Sequence, residues 1–195
     1  MNAGVRTVGI LTLAMLAAVG IAQSATPGTP AVDPAITAKA GAGDAPSMLL
    51  VARAYAAGSG VDPDDTIAAG WYRKAADLGN LDAQIQLAEC YRDGKGVTRD
   101  MAQAAAWYRK AAEQGNTSAQ ATLGSLYSMG QGVGRDDLEA FFWFDLAASA
   151  SGPNQERYAA NRQIVGTRIT MDEVALARKR LAKWKSAHAH PATGE

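Results

Sequence analysis

The residues of this chain that could do chemistry are few: two histidines, one cysteine and two adjacent pairs of aspartates. A general base working near neutral pH is most often histidine, because its charge changes there. Both histidines, His188 and His190, fall near the C-terminal end, beyond the last stretch with helical periodicity. The folded body therefore lacks the base that would activate a serine or cysteine nucleophile. His188-x-His190 offers two metal ligands where a site needs three or four, so no metal is expected. Cys90 stands alone and cannot form an internal disulfide. Asp64/Asp65 and Asp136/Asp137 each read as the start of a helix, where neighbouring side chains diverge and acids complement the helix dipole. Asp62, Asp64 and Asp65 lack the glycine and later glutamate of a calcium loop. Gly94-x-Gly96 follows no strand pattern, so it reads as a turn and not as a phosphate-binding loop. These residues point away from catalysis, and no cofactor is expected.

The glycines belong to a larger order. Aligning Gly43, Gly79 and Gly115 brings a 36-residue repeat into register. Tyr55, Tyr91 and Tyr127 then coincide, as do Gly60, Gly96 and Gly132, Asp64, Asp100 and Asp136, and Trp71, Trp107 and Trp143. Cys90 aligns with Ala54 and Leu126, which makes it a small buried apolar side chain. A fixed period of this length signals stacked copies of one supersecondary unit. Each unit carries two apolar stripes at offsets of three, four and seven, the mark of two helices. In the second unit these are positions 83, 84, 87, 88 and 91, then Ala104, Trp107, Tyr108, Ala111 and Ala112. Gly94 and Gly96 supply the positive φ that ends the first helix and reverses the chain. Asn80 and Asn116 are candidate N-caps of first helices, and Asp62 with Pro63 is read as the cap and first turn of one second helix. The expected fold is all-α: a superhelical solenoid of three 36-residue helix-turn-helix repeats closed by a C-terminal helix pair.

The flanks read differently. Arg6, an apolar run from Val8 to Ala22 and the polar residues after it form the pattern of a signal peptide over residues 1–24, cleaved after Ala22 or Ser24. The run is too short to span a bilayer comfortably, so a membrane role is expected only if that segment stays uncleaved. Residues 25–42, with three prolines and few charges, read as a flexible linker. The solenoid is expected over 43–190, with its cap at 154–187 and a disordered tail at 188–195. In that cap Thr170 and Glu173 form a capping box, and Val174, Ala177, Leu181 and Trp184 share one face. A periplasmic or secreted location follows from the leader.

The chain has 19 basic and 19 acidic residues, so no global field demands a nucleic acid, and none is expected as partner. The array from 43 to 150 holds 9 basic and 14 acidic residues, whereas 154–185 holds 8 and 3. Arg178, Lys179, Arg180, Lys183 and Lys185 make up most of that basic end, read first as a solvated face that suits a helix C-terminus.

The unit Gly-Asn-x-x-Ala-Gln-x-x-Leu-x-x-x-Tyr-x-x-Gly-x-Gly-Val, followed by Asp, Ala, Trp-Tyr-x-x-Ala-Ala and Gly from Gly79 to Gly115, resembles the Sel-one-like repeat, a member of the tetratricopeptide-type solenoids. The resemblance covers Gly43 to about Ala150 and implies a scaffold or adaptor that binds peptides or folded proteins. It implies no reaction. Some relatives with a disulfide in each repeat are associated with β-lactam binding, and this chain lacks those cysteine pairs.

Positions that the units do not share suggest where a partner binds. Residues 82, 86, 89 and 93 form one stripe of the second unit's first helix, with counterparts at 46, 50, 53, 57 and 118, 122, 125, 129. The rows Leu50, Gln86, Thr122 and Arg53, Glu89, Ser125 vary while the core positions agree. The candidate partner site is Leu50, Arg53, Gln86, Glu89, Asp93, Thr122 and Ser125. The expected function is an exported protein-interaction scaffold; a regulatory or ligand-binding protein of the cell envelope is the alternative. Oligomeric state is left open.

Overall fold

The computed structural model describes residues 32–188. The leader reading of 1–24, residues 25–31 of the proposed linker, and His190 lie outside those residues. Among the described residues the secondary structure is helical throughout: α1 (Pro34–Gly41), α2 (Ala45–Ala57), α3 (Asp65–Asp77), α4 (Leu81–Asp93), α5 (Met101–Glu113), α6 (Thr117–Met129), α7 (Asp137–Ala148), α8 (Gln155–Gly166) and α9 (Met171–His188). Each helix from α1 to α8 packs on its neighbours in sequence, and α9 returns to α7. The pairs α2/α3, α4/α5 and α6/α7 are the three stacked units, as the 36-residue period anticipates.

Identical local chemistry builds each unit. First helices are capped by Asp44, Asn80 and Asn116, whose side chains accept the backbone N–H of Ser47, Ala83 and Ala119. They end at Gly58, Gly94 and Gly130, all in the left-handed conformation. The turn closes when the backbone N–H of Asp64, Asp100 and Asp136 donates to Tyr55, Tyr91 and Tyr127, at 3.0, 2.9 and 3.1 Å. Those three aspartates cap the second helices. Asp64 Oδ1 accepts from Thr66 at 2.8 Å and Ile67 at 2.9 Å, so the cap of α3 is Asp64 and not Asp62, and α3 begins at Asp65 rather than at Pro63. The repeat explains the correction, since Asp64 aligns with Asp100 and Asp136 and Asp62 aligns with no other cap.

Units are joined through backbone as well as side chains. The buried Gln84 and Gln120 amides donate to the carbonyls of Ala76 and Ala112, at the ends of the preceding second helices, at 3.3 and 3.1 Å. Gly96 and Gly132 bring their turns directly onto the first residues of α3 and α5, where a Cβ would overlap the carbonyls of Asp65 and Met101. Positive φ alone does not account for these two glycines. Leu87 and Leu123 fill the centre of the stack with no exposed surface.

The linker reading fails at its C-terminal end, because α1 occupies 34–41. Asp33 accepts Ala35 N–H at 2.8 Å, Pro34 stands at the first turn where its missing N–H is harmless, and Ala40 is buried against the first unit. Small residues that cannot form a core of their own can still dock on one.

At the other end Thr170 and Glu173 make the capping box. The Glu173 carboxylate accepts Thr170 N–H at 2.7 Å, and Thr170 Oγ1 accepts Glu173 N–H at 3.3 Å. Val174, Ala177, Leu181 and Trp184 face the core. Arg180 turns inward as well, pairing with Glu139 of α7 at 2.7 Å and lying over the Phe142 ring at 4.7 Å. Arg178, Lys179, Lys183 and Lys185 stay exposed. His188 belongs to the last turn of α9 and not to a tail: its ring stacks on Trp184 at 3.9 Å, and Nδ1 lies 2.9 Å from the Trp184 carbonyl.

Candidate partner-binding surface

Cys90 is buried on α4, and burial, with Asp65 and Glu89 nearby, raises its thiol to about 11. A thiol held protonated is a poor nucleophile. The unfolded thiol ionises near 9.0, so the folded state keeps its proton over a window in which the unfolded chain has lost it. Stability from this group is complete below that window and declines as pH rises from 9 toward 11. Urea unfolding across this range should show a shallower decline for Cys90→Ala than for the natural chain.

The first helices carry the predicted stripe on their outer face. Leu50 is exposed on α2, and Arg53 reaches across to Asp82 of α4 at 2.9 Å. Both partners of that pair are half-exposed, so it orients side chains and adds little stability. Gln86 donates to Glu89 at 3.1 Å within α4. Asp93 is gripped by Arg92 through both carboxylate oxygens, at 2.8 and 2.9 Å, and this bonding lowers its pKa and raises that of Arg92. Arg92 also donates to the Tyr108 hydroxyl at 3.0 Å. Thr122 and Ser125 donate to their own helix, to the Ser118 and Ala121 carbonyls, which leaves their oxygens free to accept.

Neighbouring first helices leave clefts between them, and α6 lies at the centre of three. One runs between α6 and the end of α4, bounded by Asp93, Arg99, Met101, Thr122, Ser125 and Met129. A second lies between α6 and α8, where Thr122 and Ser125 face Arg157 and Asn161. The third follows the same helices farther along, past Met129, Asn161, Ile164 and Arg168. Ser125 borders all three, so the clefts adjoin along α6 and together make up a grooved surface. From the predicted set, Asp93, Thr122 and Ser125 line it; Leu50, Arg53, Gln86 and Glu89 do not border these clefts and lie on α2 and α4 toward the N-terminal end of the stack.

Sequence reasoning missed the α8 wall. Asn161 stands 36 residues after Ser125, in the row of Arg53, Glu89 and Ser125, so α8 takes the place of a fourth first helix. The shift of the next glycine from position 151 to Gly152 obscured this continuation. Its orientation is set by Arg162, which pairs with the buried Asp145 of α7 at 2.6 Å. A buried carboxylate needs such a partner, and the bond pins α8 beside the groove.

Comparison with known proteins agrees with this architecture. Residues 45–80, 81–116 and 117–151 each match the Sel1 repeat. No curated protein matches the chain. Among solved structures, c5321, a protective antigen of uropathogenic Escherichia coli displaying an SLR fold, is 34% identical over 79% of this chain and 32% of its own, with a TM-score of 0.66. A Sel1 repeat protein from Oxalobacter formigenes is 35% identical over 63% of this chain and 49% of its own, with a TM-score of 0.59. The chain thus spans about a third and about half of the lengths of these two structures. Three uninterrupted matches cover more than half of the sequence and coincide with the three helical units: the chain belongs to the Sel1 repeat family.

Proposed function

We propose that this protein is an exported, non-catalytic scaffold that binds a protein or peptide partner in the groove lined by its first helices. Sel1 repeat proteins generally mediate protein–protein interaction, and the fold is typically a non-enzymatic scaffold. The observation that carries the reading is the set of adjoining clefts along α6. Its lining residues differ from unit to unit, while the residues packed beneath them repeat. A surface released from packing in this way is free to specify a ligand. The leader-like segment at 1–24 supports a periplasmic or secreted location.

A photoreactive amino acid placed at Thr122, and separately at the exposed Ala106 of α5, tests this. Irradiation in cells of the source organism should give one dominant crosslinked species from position 122 and none of that mass from position 106. Equal labelling from both sites, or labelling from 106 alone, excludes the groove.

A further inference from the structure

The geometry points to the chemistry of the groove's occupant: an extended peptide segment in which acidic residues alternate with large apolar ones, read by Arg99, Arg157 and Asn161. This deepens the scaffold reading and rests on it. The charged side chains bordering the three clefts are Arg92, Arg99, Arg157, Arg168 and a single acid, Asp93. Arg92 saturates Asp93, and Arg168 is held by Asp137 at 3.3 Å and by the Ser128 hydroxyl at 2.7 Å. Arg99 uses only its Nε, on the Arg92 carbonyl at 3.0 Å, and Arg157 lies over the Tyr158 ring at 5.3 Å. Neither forms an ion pair among the described residues. Two guanidinium groups outside any described ion pair thus flank the groove, one on each side of α6, with Arg99 close enough to Asp93 to help lower its pKa. Arg99 does so on an array that is acidic as a whole, 14 acids against 9 bases from 43 to 150, and Arg157 on the basic segment 154–185, with 8 bases against 3 acids. Four guanidinium groups against one carboxylate give the groove a net positive charge that complements a negatively charged occupant.

The remaining lining favours a peptide over other anions. Asn161 borders two of the clefts, and its amide bonds to no described residue. An amide that both donates and accepts matches the N–H and C=O of an extended backbone. The Thr122 and Ser125 oxygens are free to accept peptide N–H groups, because their own hydrogens are spent on α6. Met129 and Ile164, 57% and 60% exposed, stand along the groove as apolar contacts for the side chains between the acids. A nucleic-acid strand needs aromatic faces for its bases. The aromatic rings bordering the groove, Tyr158 and Phe144, are both buried.

The test selects dodecapeptides from a random phage-displayed library on the intact chain and measures the best by fluorescence anisotropy. Selected sequences should be rich in Asp and Glu spaced by apolar residues. Arg99→Gln and Arg157→Gln should each weaken binding about tenfold and the double variant about a hundredfold, as expected for charge-assisted hydrogen bonds. Asn161→Ala should weaken it about fivefold by removing backbone contacts. Arg157→Lys keeps the charge and should recover most of the loss, and Lys179→Gln with Lys183→Gln on α9 should change nothing. All variants should melt within a few degrees of the natural chain, since none of the replaced side chains is buried. Selected peptides without acidic enrichment overturn the proposal, as does binding that responds to the α9 substitutions and not to Arg99 and Arg157. Binding of a single-stranded oligonucleotide, or of phosphatidylglycerol vesicles, with the same dependence on Arg99 and Arg157 and at equal affinity also overturns it. If crosslinking from Thr122 still captures a partner lacking such a segment, the chemistry fails and the scaffold reading stands.

Discussion

Gly96→Ala should lower the stability of this protein by about 3 kcal/mol or more, while Gly79→Ala should lower it by about 1 kcal/mol. Both glycines have positive φ, +67° and +86°, so both substitutions force an L side chain into a conformation it disfavours. Only at Gly96 does the added Cβ also meet another unit. It would overlap the Asp65 carbonyl and lie 2.8 Å from Thr66 N, whereas at Gly79 nothing stands within 4 Å. The difference between the two variants therefore isolates the contact between the turn of the second unit and the second helix of the first. Gly132 repeats the arrangement against Met101 and should behave like Gly96. Urea unfolding followed by circular dichroism measures both; equal losses at 79 and 96 would mean that the turn conformation alone requires glycine.

Leu123→Ala is expected to be as severe, about 3 to 5 kcal/mol, because Leu123 is wholly buried and its removal leaves a cavity in the third unit. Helix contacts run between sequence neighbours, with α9 returning to α7, so few contacts bypass a weakened unit. Stability in such an array is close to a sum of unit and interface terms. Weakening the third unit should therefore reduce cooperativity as well as stability: the single transition should broaden or split, with the α2–α5 part melting apart from the rest. Leu50→Ala is the matched control on the exposed stripe and should change stability by less than about 0.5 kcal/mol. A sharp, uniformly shifted transition for Leu123→Ala would show that the units are coupled more tightly than the contact pattern implies.

Much of this architecture could be read in the sequence because its causes are local and repeated. The spacing of Tyr91, Gly94, Gly96, Asp100, Trp107 and Tyr108 states two helices and the turn between them, and copying it at 36 residues states the stack. The second role of Gly96 was hidden, since φ is a property of one residue while the approach of Asp65 depends on how two units meet. The register of Asp64 with Asp100 and Asp136 marks it as a cap, but the neighbouring Asp62-Pro63 pair carries a stronger general cap signal that masks it. The α1 helix escaped because composition weighs what a segment can bury by itself, and Ala40 is buried by the unit beside it. At the candidate site, the stripe located Asp93, Thr122 and Ser125 but stopped where the glycine register slipped. That left Arg157 and Asn161 unread, although Asn161 keeps the spacing of the row.

The seat of the partner can be measured directly by methionine oxidation. Met129 borders the groove and is 57% exposed, while Met171 at the start of α9 is 82% exposed and borders none of the three clefts. With a crosslinked or selected partner bound, oxidation of Met129 should slow at least about fivefold and that of Met171 should continue at its free rate. Protection of Met171 with Met129 oxidised at its free rate would contradict a first-helix groove and place the partner on the C-terminal cap.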